Sequence, residues 1–212
     1  MIMGTSKSML LILMITIALF TLQACTGEMK TTHYYILTAL PTDDAIDYAA
    51  IDSMQTLPYS IEISPFNIVR AYDTDRIAVR TNSNELKYYF YHKWAENPAG
   101  AIRFFVWKHI KESNLFKQAE LTMVEEVPQF RVRGIIHHIE RTDINNTAEA
   151  RLSISLELID LNSGTTVVKH SINRYAPINT TTGMNIFARN ISELLAEETN
   201  RFLLKVYNRL KQ

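Results

Sequence analysis

Apolar residues recur along this chain in three rhythms, and each predicts a different kind of element. From Met9 to Phe20 they form a nearly continuous run, MLLILMITIALF, broken by Thr16 alone. That run is shorter than the ~20 residues a helix needs to cross a bilayer and suits the apolar stretch of an export signal. Through the middle of the chain, short stretches alternate apolar and polar residues with period two, the rhythm of half-buried strands. From Gly183 to Leu210 the spacing changes to three and four. Phe187, Ile191, Leu194, Leu195, Phe202, Val206 and Leu210 form one stripe, with Glu193, Glu197, Glu198, Arg201 and Lys205 largely outside it. This predicts a long amphipathic helix packed on a sheet.

Within the middle region, Tyr34–Thr38 is rich in β-formers and is bounded by Pro41, predicting a first strand. Residues 42–56 are acidic and weakly periodic and read either as a loop or as a short helix. Tyr59–Ser64 places Ile61 and Ile63 on one face and ends at Pro65, which cannot donate to a ladder. Ile68-Val69 and Arg76–Arg80 read as short strands separated by the turn-like stretch Tyr72-Asp73-Thr74-Asp75. Asn82-Ser83-Asn84 then turns the chain into Leu86–Tyr91, the second arm of a hairpin. Asn97-Pro98 is a helix start, with Asn as cap and Pro at the first helical position. Ile102, Phe105, Val106 and Ile110 continue that helix to about Ser113.

Three strands follow in sequence: Phe130–Arg141, with Gly134 as a candidate bulge, Arg151–Asp160, and Thr165–Arg174. The middle one sets Leu152, Ile154, Leu156 and Leu158 against Ser153, Ser155 and Glu157, and Asn162-Ser163-Gly164 supplies the final turn. One covered face and one polar face are expected of such a meander. The sum is an α+β fold, an antiparallel or mixed sheet packed by two principal helices. It forms a single domain over residues 34–212 behind an N-terminal signal peptide.

Composition enters through one residue. Cys25 is the sole cysteine, so no intramolecular disulfide exists, and it stands directly after the apolar run in Leu22-Gln23-Ala24-Cys25. The tetrapeptide resembles the lipobox of bacterial lipoproteins, with an aliphatic residue at −3 and a small one at −1. That resemblance implies cleavage between Ala24 and Cys25, diacylglycerol on the Cys25 sulfur and an acyl chain on the new amine. Two or three chains give lasting anchoring where one is marginal. An uncleaved membrane anchor and an ordinary cleaved signal are the other readings. Residues 1–24 are thus the signal and 25–33 a lipidated tether. Thr26, in place of Asp, favours the outer membrane. Basic and acidic residues balance at 22 each, so no net field recruits nucleic acid.

No catalytic constellation emerges, and no HExxH, GxSxG, Walker or GxGxxG motif occurs. His137 and His138 are adjacent, so on a regular strand they point to opposite faces and cannot share a metal without a bulge, while Glu140 falls on the face of His138. Glu125-Glu126 reads as a solvated loop. Arg131 and Arg133 share a strand face and form either an anion or lipid-phosphate patch or an ordinary polar surface. In the aromatic run Tyr88-Tyr89-Phe90-Tyr91, alternation puts Tyr89 and Tyr91 on one face. Together with Trp94 they are the candidate partner interface, packing alone being the other reading.

Several stretches taken in order resemble the ABC-type transport auxiliary lipoprotein family, the group that contains PqiC. These are Tyr34-Tyr35-Ile36-Leu37-Thr38-Ala39-Leu40-Pro41, Arg76-Ile77-Ala78-Val79-Arg80, Asn84-Glu85-Leu86-Lys87-Tyr88 and Tyr91-His92-Lys93-Trp94-Ala95-Glu96-Asn97-Pro98. Asn97 departs from the family pattern by separating Glu96 from Pro98. The resemblance implies a non-enzymatic outer-membrane lipoprotein on the periplasmic face. It would dock the MCE-domain protein that bridges the periplasm in a phospholipid transport system, with a permease and an ATPase behind it, and could form a ring of its own copies. No cofactor is implied beyond the lipid on Cys25. A synthase-activating or envelope-assembly lipoprotein is the alternative binding role, and a lipoprotein enzyme the third reading.

Overall fold

In the computed structural model, residues 30–38, 54–124, 126–178 and 183–211 are described. Cys25, the signal peptide, most of the 42–56 stretch and Glu125 lie outside them. One compact unit begins at Thr32. Its elements are β1 (His33–Tyr35), β2 (Leu57–Ile63), β3 (Asn67–Ile68), a 3-10 turn (Arg70–Tyr72), β4 (Arg76–Asn82), β5 (Glu85–Trp94), α1 (Pro98–Glu112), β6 (Phe116–Glu120), β7 (Phe130–Ile144), β8 (Thr147–Asp160), β9 (Thr166–Ile178) and α2 (Met184–Leu210). The nine strands form one mixed sheet, curled, with the two helices packed against it, as expected of an α+β domain.

Strand β7 organises the sheet. Along one edge it pairs antiparallel with β8 over its whole length, and β8 pairs antiparallel with β9. Along the other edge β2, β3 and β4 follow one another end to end, each parallel to β7. β6 extends the sheet beyond β2, and β5 and β1 extend it beyond β4. The β7–β8 turn is made by Asn145 and Asn146, with φ of 53° and 62°. Positive φ at both residues matches a tight hairpin to the right-handed strand twist, and Asn tolerates it.

The helices cover one face. Leu152, Ile154, Leu156 and Leu158 of β8 are buried with Val132 and Ile136 of β7 and with Phe187, Ile191, Leu195, Phe202 and Val206 of α2. Helix α1 begins as expected: Asn97 Oδ1 accepts from the Ala99 amide at 2.9 Å, with Pro98 at the first position. Its Ile102, Phe105, Val106 and Ile110 all enter the core. Arg103 of α1 donates to the carbonyls of Ile63 and Leu121, and Trp107 Nε1 to that of Ala119, so polar atoms of the helix tie it to β2 and β6.

Two local expectations change. Strand β6 has no counterpart in the sequence reading; FKQAE is a poor strand former and becomes a strand by pairing with β2. The bulge in β7 lies at His137, between the pairs Ile136–Ile154 and His138–Ser153, and not at Gly134. Glycine at 134 serves a close approach instead. A Cβ built there would lie 2.5 Å from the Phe66 ring, which packs flat over the strand.

Candidate functional site

The aromatic run on β5 is where chemistry for a partner was expected, and the structure redistributes its residues. Trp94 is 3% exposed, with its ring 5.6 Å from that of Phe187 in the core. It anchors α2 to the sheet and does not face a partner, which corrects the expectation for this residue. Tyr89 is half-buried against the core and against the His92 ring, and Tyr91 is half-buried with its ring edge-on to Phe90. The residue that projects is Phe90, 74% exposed. Tyr88 beside it is held in place: its hydroxyl donates to the Ala71 carbonyl at 2.8 Å, and the Arg76 guanidinium lies over its ring at 5.0 Å.

The reason is a register shift. Ala78 pairs with Tyr88, but Arg76 pairs with Lys93, so two steps along β4 oppose five along β5. Over Tyr88–Tyr91 the alternation holds, with Tyr89 and Tyr91 turned inward and Tyr88 and Phe90 outward, but the extra residues end it before Trp94, so parity cannot be carried from Tyr91 to Trp94. Alternation sorts the four aromatics into two faces without saying which face is covered, which is why Phe90 was missed as the projecting side chain.

A second apolar surface was not anticipated. On the outer side of α1, the rings of Phe104 and Trp107 meet tilted, with centroids 5.1 Å apart, and with Lys108, Lys111 and Glu112 line an open groove of about 460 Å³. The sequence showed only that apolar residues surround this helix on several sides.

Arg131 and Arg133 do share the outer face, and each has an acidic partner. Arg131 pairs with Glu62 at 3.2 Å across the β2–β7 ladder, and Arg133 with Glu157 at 2.5 Å across β7–β8. Lys169 also reaches Glu157 at 3.3 Å. Arg133 is the first cause of the Glu157 carboxyl lying below its usual range. With their charges compensated, the two arginines are a cross-strand ion-pair row, and an incoming phosphate would have to compete with carboxylates already in place.

The bulge at His137 brings both histidines to the Ser153/Ser155 side of the sheet. His137 Nε2 lies 2.9 Å from Ser155 Oγ, and the His138 ring packs edge-on against Tyr72. Nearby Glu140, on the His138 face as expected, is fully buried and saturated. Arg80 donates to it through Nε and an Nη, Arg151 through Nη1 at 2.9 Å and Tyr72 through its hydroxyl at 2.7 Å. Burial works against its ionisation, but the hydrogen bonds from Arg80, Tyr72 and Arg151 outweigh it and hold the carboxyl low. Burial and the same carboxylate push the Tyr72 hydroxyl up to about 12. A second buried carboxylate, Glu198 of α2, receives His170, Arg174 and Arg201. Both clusters join elements of the fold, and both carboxylates are shielded from solvent. Among the described residues, no group of three or more His, Cys, Asp and Glu is placed to hold a metal, and no helix is long and apolar enough to cross a membrane.

The comparisons with known proteins agree with this architecture. The crystal structure of XCC0632 from Xanthomonas campestris, of family DUF330, superposes with a TM-score of 0.68 at 13% identity, covering 86% of this chain and 100% of that one. A crystal structure of an uncharacterized protein superposes with a TM-score of 0.63 at 10% identity, covering 83% and 99%. At such identities the likeness is one of fold. No curated protein matches the chain. The model of the ABC-type transport auxiliary lipoprotein component matches residues 44–201, from the segment before β2 to the last third of α2. By that match the chain belongs to the ABC-type transport auxiliary lipoprotein family.

Proposed function

We propose that this protein is a non-enzymatic docking subunit, anchored through Cys25 to the outer membrane, that receives the MCE-domain bridge of a phospholipid transport system. Phe90 carries the reading. A phenylalanine 74% exposed on a strand whose Tyr89 and Tyr91 are half-buried and whose Trp94 is in the core costs solubility unless something covers it, and it lies within the segment matched by the family. Aromatic anchors of this kind dominate protein–protein interfaces. Family membership supports association with an ABC-type system, and the burial of Glu140 and Glu198 within ion-paired clusters supports a binding rather than a chemical role.

The test is a photo-crosslinking residue in place of Phe90 in the native envelope, with the same residue at Val127 as an exposed control. The expected product contains an MCE-domain protein at position 90 and not at 127. Crosslinks at 90 that never contain such a protein would exclude the role.

A further inference from the structure

Strand β1 is the first element among the described residues, and it is fixed firmly. Its residues pair in parallel with His92–Trp94, the Ala95 amide donates to the Tyr35 carbonyl at 2.8 Å, the Tyr35 hydroxyl meets His92 Nδ1 at 2.8 Å, and the Thr38 amide donates to Ser192 Oγ of α2 at 3.2 Å. The segment alternates. Tyr35 and Leu37 turn inward and pack on the core, whereas Tyr34 and Ile36 turn outward at 64% and 63% exposure. The outward positions of a solvated strand ordinarily carry polar residues. Here a tyrosine and an isoleucine occupy them on a backbone held from both sides. They border an open groove of about 250 Å³ shared with Asn185, Ala188 and Arg189 of α2.

We propose that Tyr34 and Ile36, with Arg189, form a membrane-contact surface by which the folded body rests on the lipid layer that holds its anchor. The inference rests on lipidation of Cys25. Tyr34 is nine Cα-to-Cα steps from Cys25, with eight residues between them. Even fully extended, that length holds the patch within roughly 30 Å of the lipid headgroups, and a random tether brings it much nearer. The side chains fit the place. Tyrosine favours the headgroup level with its ring inward and hydroxyl out, isoleucine favours the acyl boundary, and a guanidinium binds phosphate in two-point fashion. The carboxylate near Arg189 is Glu193, one turn along α2 at 3.6 Å on a half-exposed surface, a pair weak enough to yield to a lipid phosphate. Seating the body this way fixes its orientation relative to the membrane, which acyl chains on a polar tether alone do not.

Because Cys25 is the sole cysteine and acylation blocks it, a new cysteine in the full-length lipoprotein is labelled alone. The variants Tyr34→Cys, Ile36→Cys and, as exposed controls, Val127→Cys and Phe104→Cys are labelled with a polarity-sensitive dye. Each is reconstituted into vesicles of phosphatidylethanolamine and phosphatidylglycerol. Mass measurement of the N-terminal peptide first establishes acylation, so failure of the anchor reading shows there, independently of the dye. With acylated protein, the expected result is a blue shift and a gain in intensity of about twofold or more at 34 and 36 on going from detergent to vesicles, as apolar surface leaves water, with 127 and 104 unchanged. No change at 34 and 36, or an equal change at all four positions, overturns the proposal. So does a blue shift already present in detergent that grows with protein concentration, which would mean that a second copy covers the patch.

Discussion

Glu140 has no solvent exposure, yet its carboxylate is ionised because Arg80, Arg151 and Tyr72 converge on it from β4, β8 and the 3-10 turn. Removing one member of such a set costs far more than the set contributes relative to apolar packing, since the remaining charges stay half-buried and unmatched. Glu140→Gln should therefore destabilise the protein by about 3 kcal/mol, read as a lower urea midpoint at unchanged slope. The titration of buried groups sets a pH profile. The carboxyls of Glu140, Glu157 and Glu198 lie below the ordinary glutamate value of 4.5, so what they contribute is complete above that pH and is lost as pH falls through their folded values. His109 and His138 are depressed from 6.5, chiefly by burial. For them the unfolded chain binds the proton first, so stability declines from about pH 6.5 downward. Urea unfolding between pH 8 and 4 should show a plateau above 7, a gentle fall to 5 and a steep one below. His138 Nδ1 has no hydrogen-bond partner where it is buried. His138→Phe, which keeps the ring against Tyr72, should leave stability unchanged or raise it by up to about 1 kcal/mol, and should flatten the gentle part of the fall. A lower midpoint at pH 8 would show that the ring's polar atoms contribute to the fold.

At the scale of elements, β7 carries the fold's geometry through two local irregularities with opposite logic. The bulge at His137 changes which residues face the helices: Gly134 and Ile136 face them before it, Ile139 after it. Without that extra residue Ile139 would turn outward and His138 inward, since a one-residue slip exchanges the faces. Gly134 is the smooth part, where the Phe66 ring lies directly on the backbone. Gly134→Ala pushes a methyl into three ring carbons at 2.5–2.6 Å and should cost about 1–3 kcal/mol, the range for overpacking. Adding Phe66→Leu should recover part of it, because the smaller side chain makes room. Thermal unfolding of the two single variants and the double one measures the coupling, and additive losses would show that ring and glycine do not meet in solution.

For the whole molecule, the distinction that matters is between aromatics that hold the body together and those that it presents. Trp94 joins β5 to α2, so Trp94→Ala should lower stability by about 3–5 kcal/mol. Phe90→Ser should leave the unfolding midpoint within about 0.5 kcal/mol of the parent, while abolishing recovery of an MCE-domain protein with the tagged lipoprotein from the native envelope. Chemical denaturation and co-purification on the same pair of variants separate the two roles. If Phe90→Ser unfolds the protein as readily as Trp94→Ala does, Phe90 belongs to the core and the docking surface lies elsewhere.

Sequence alone determined whatever depends on local periodicity or on residue identity. The α1 cap at Asn97, the α2 stripe and the three-strand meander were legible, because a helix repeats at 3.6 residues and a strand at two whatever surrounds it. The stretches Tyr34–Pro41, Arg76–Arg80 and Tyr91–Pro98, read in sequence, also carried the resemblance to the family, whose model matches residues 44–201. What tertiary structure decided depends on pairing between distant strands. FKQAE became β6 through its ladder with β2, the shift between β4 and β5 took Trp94 out of the alternation of the preceding aromatics, and packing decided that the face carrying Phe90 is the uncovered one. Glu62 and Glu157 neutralised the arginines expected to form an anion patch. Each of these is set by which residues of another strand lie opposite, information that a single strand's pattern does not contain. The lipobox at Cys25 belongs to the first kind, since its recognition needs only four consecutive residues. The outward turn of Tyr34 and Ile36, nine and eleven residues further on, belongs to the second, because it is the pairing of β1 with β5 that fixes which side chains of that segment face away from the core.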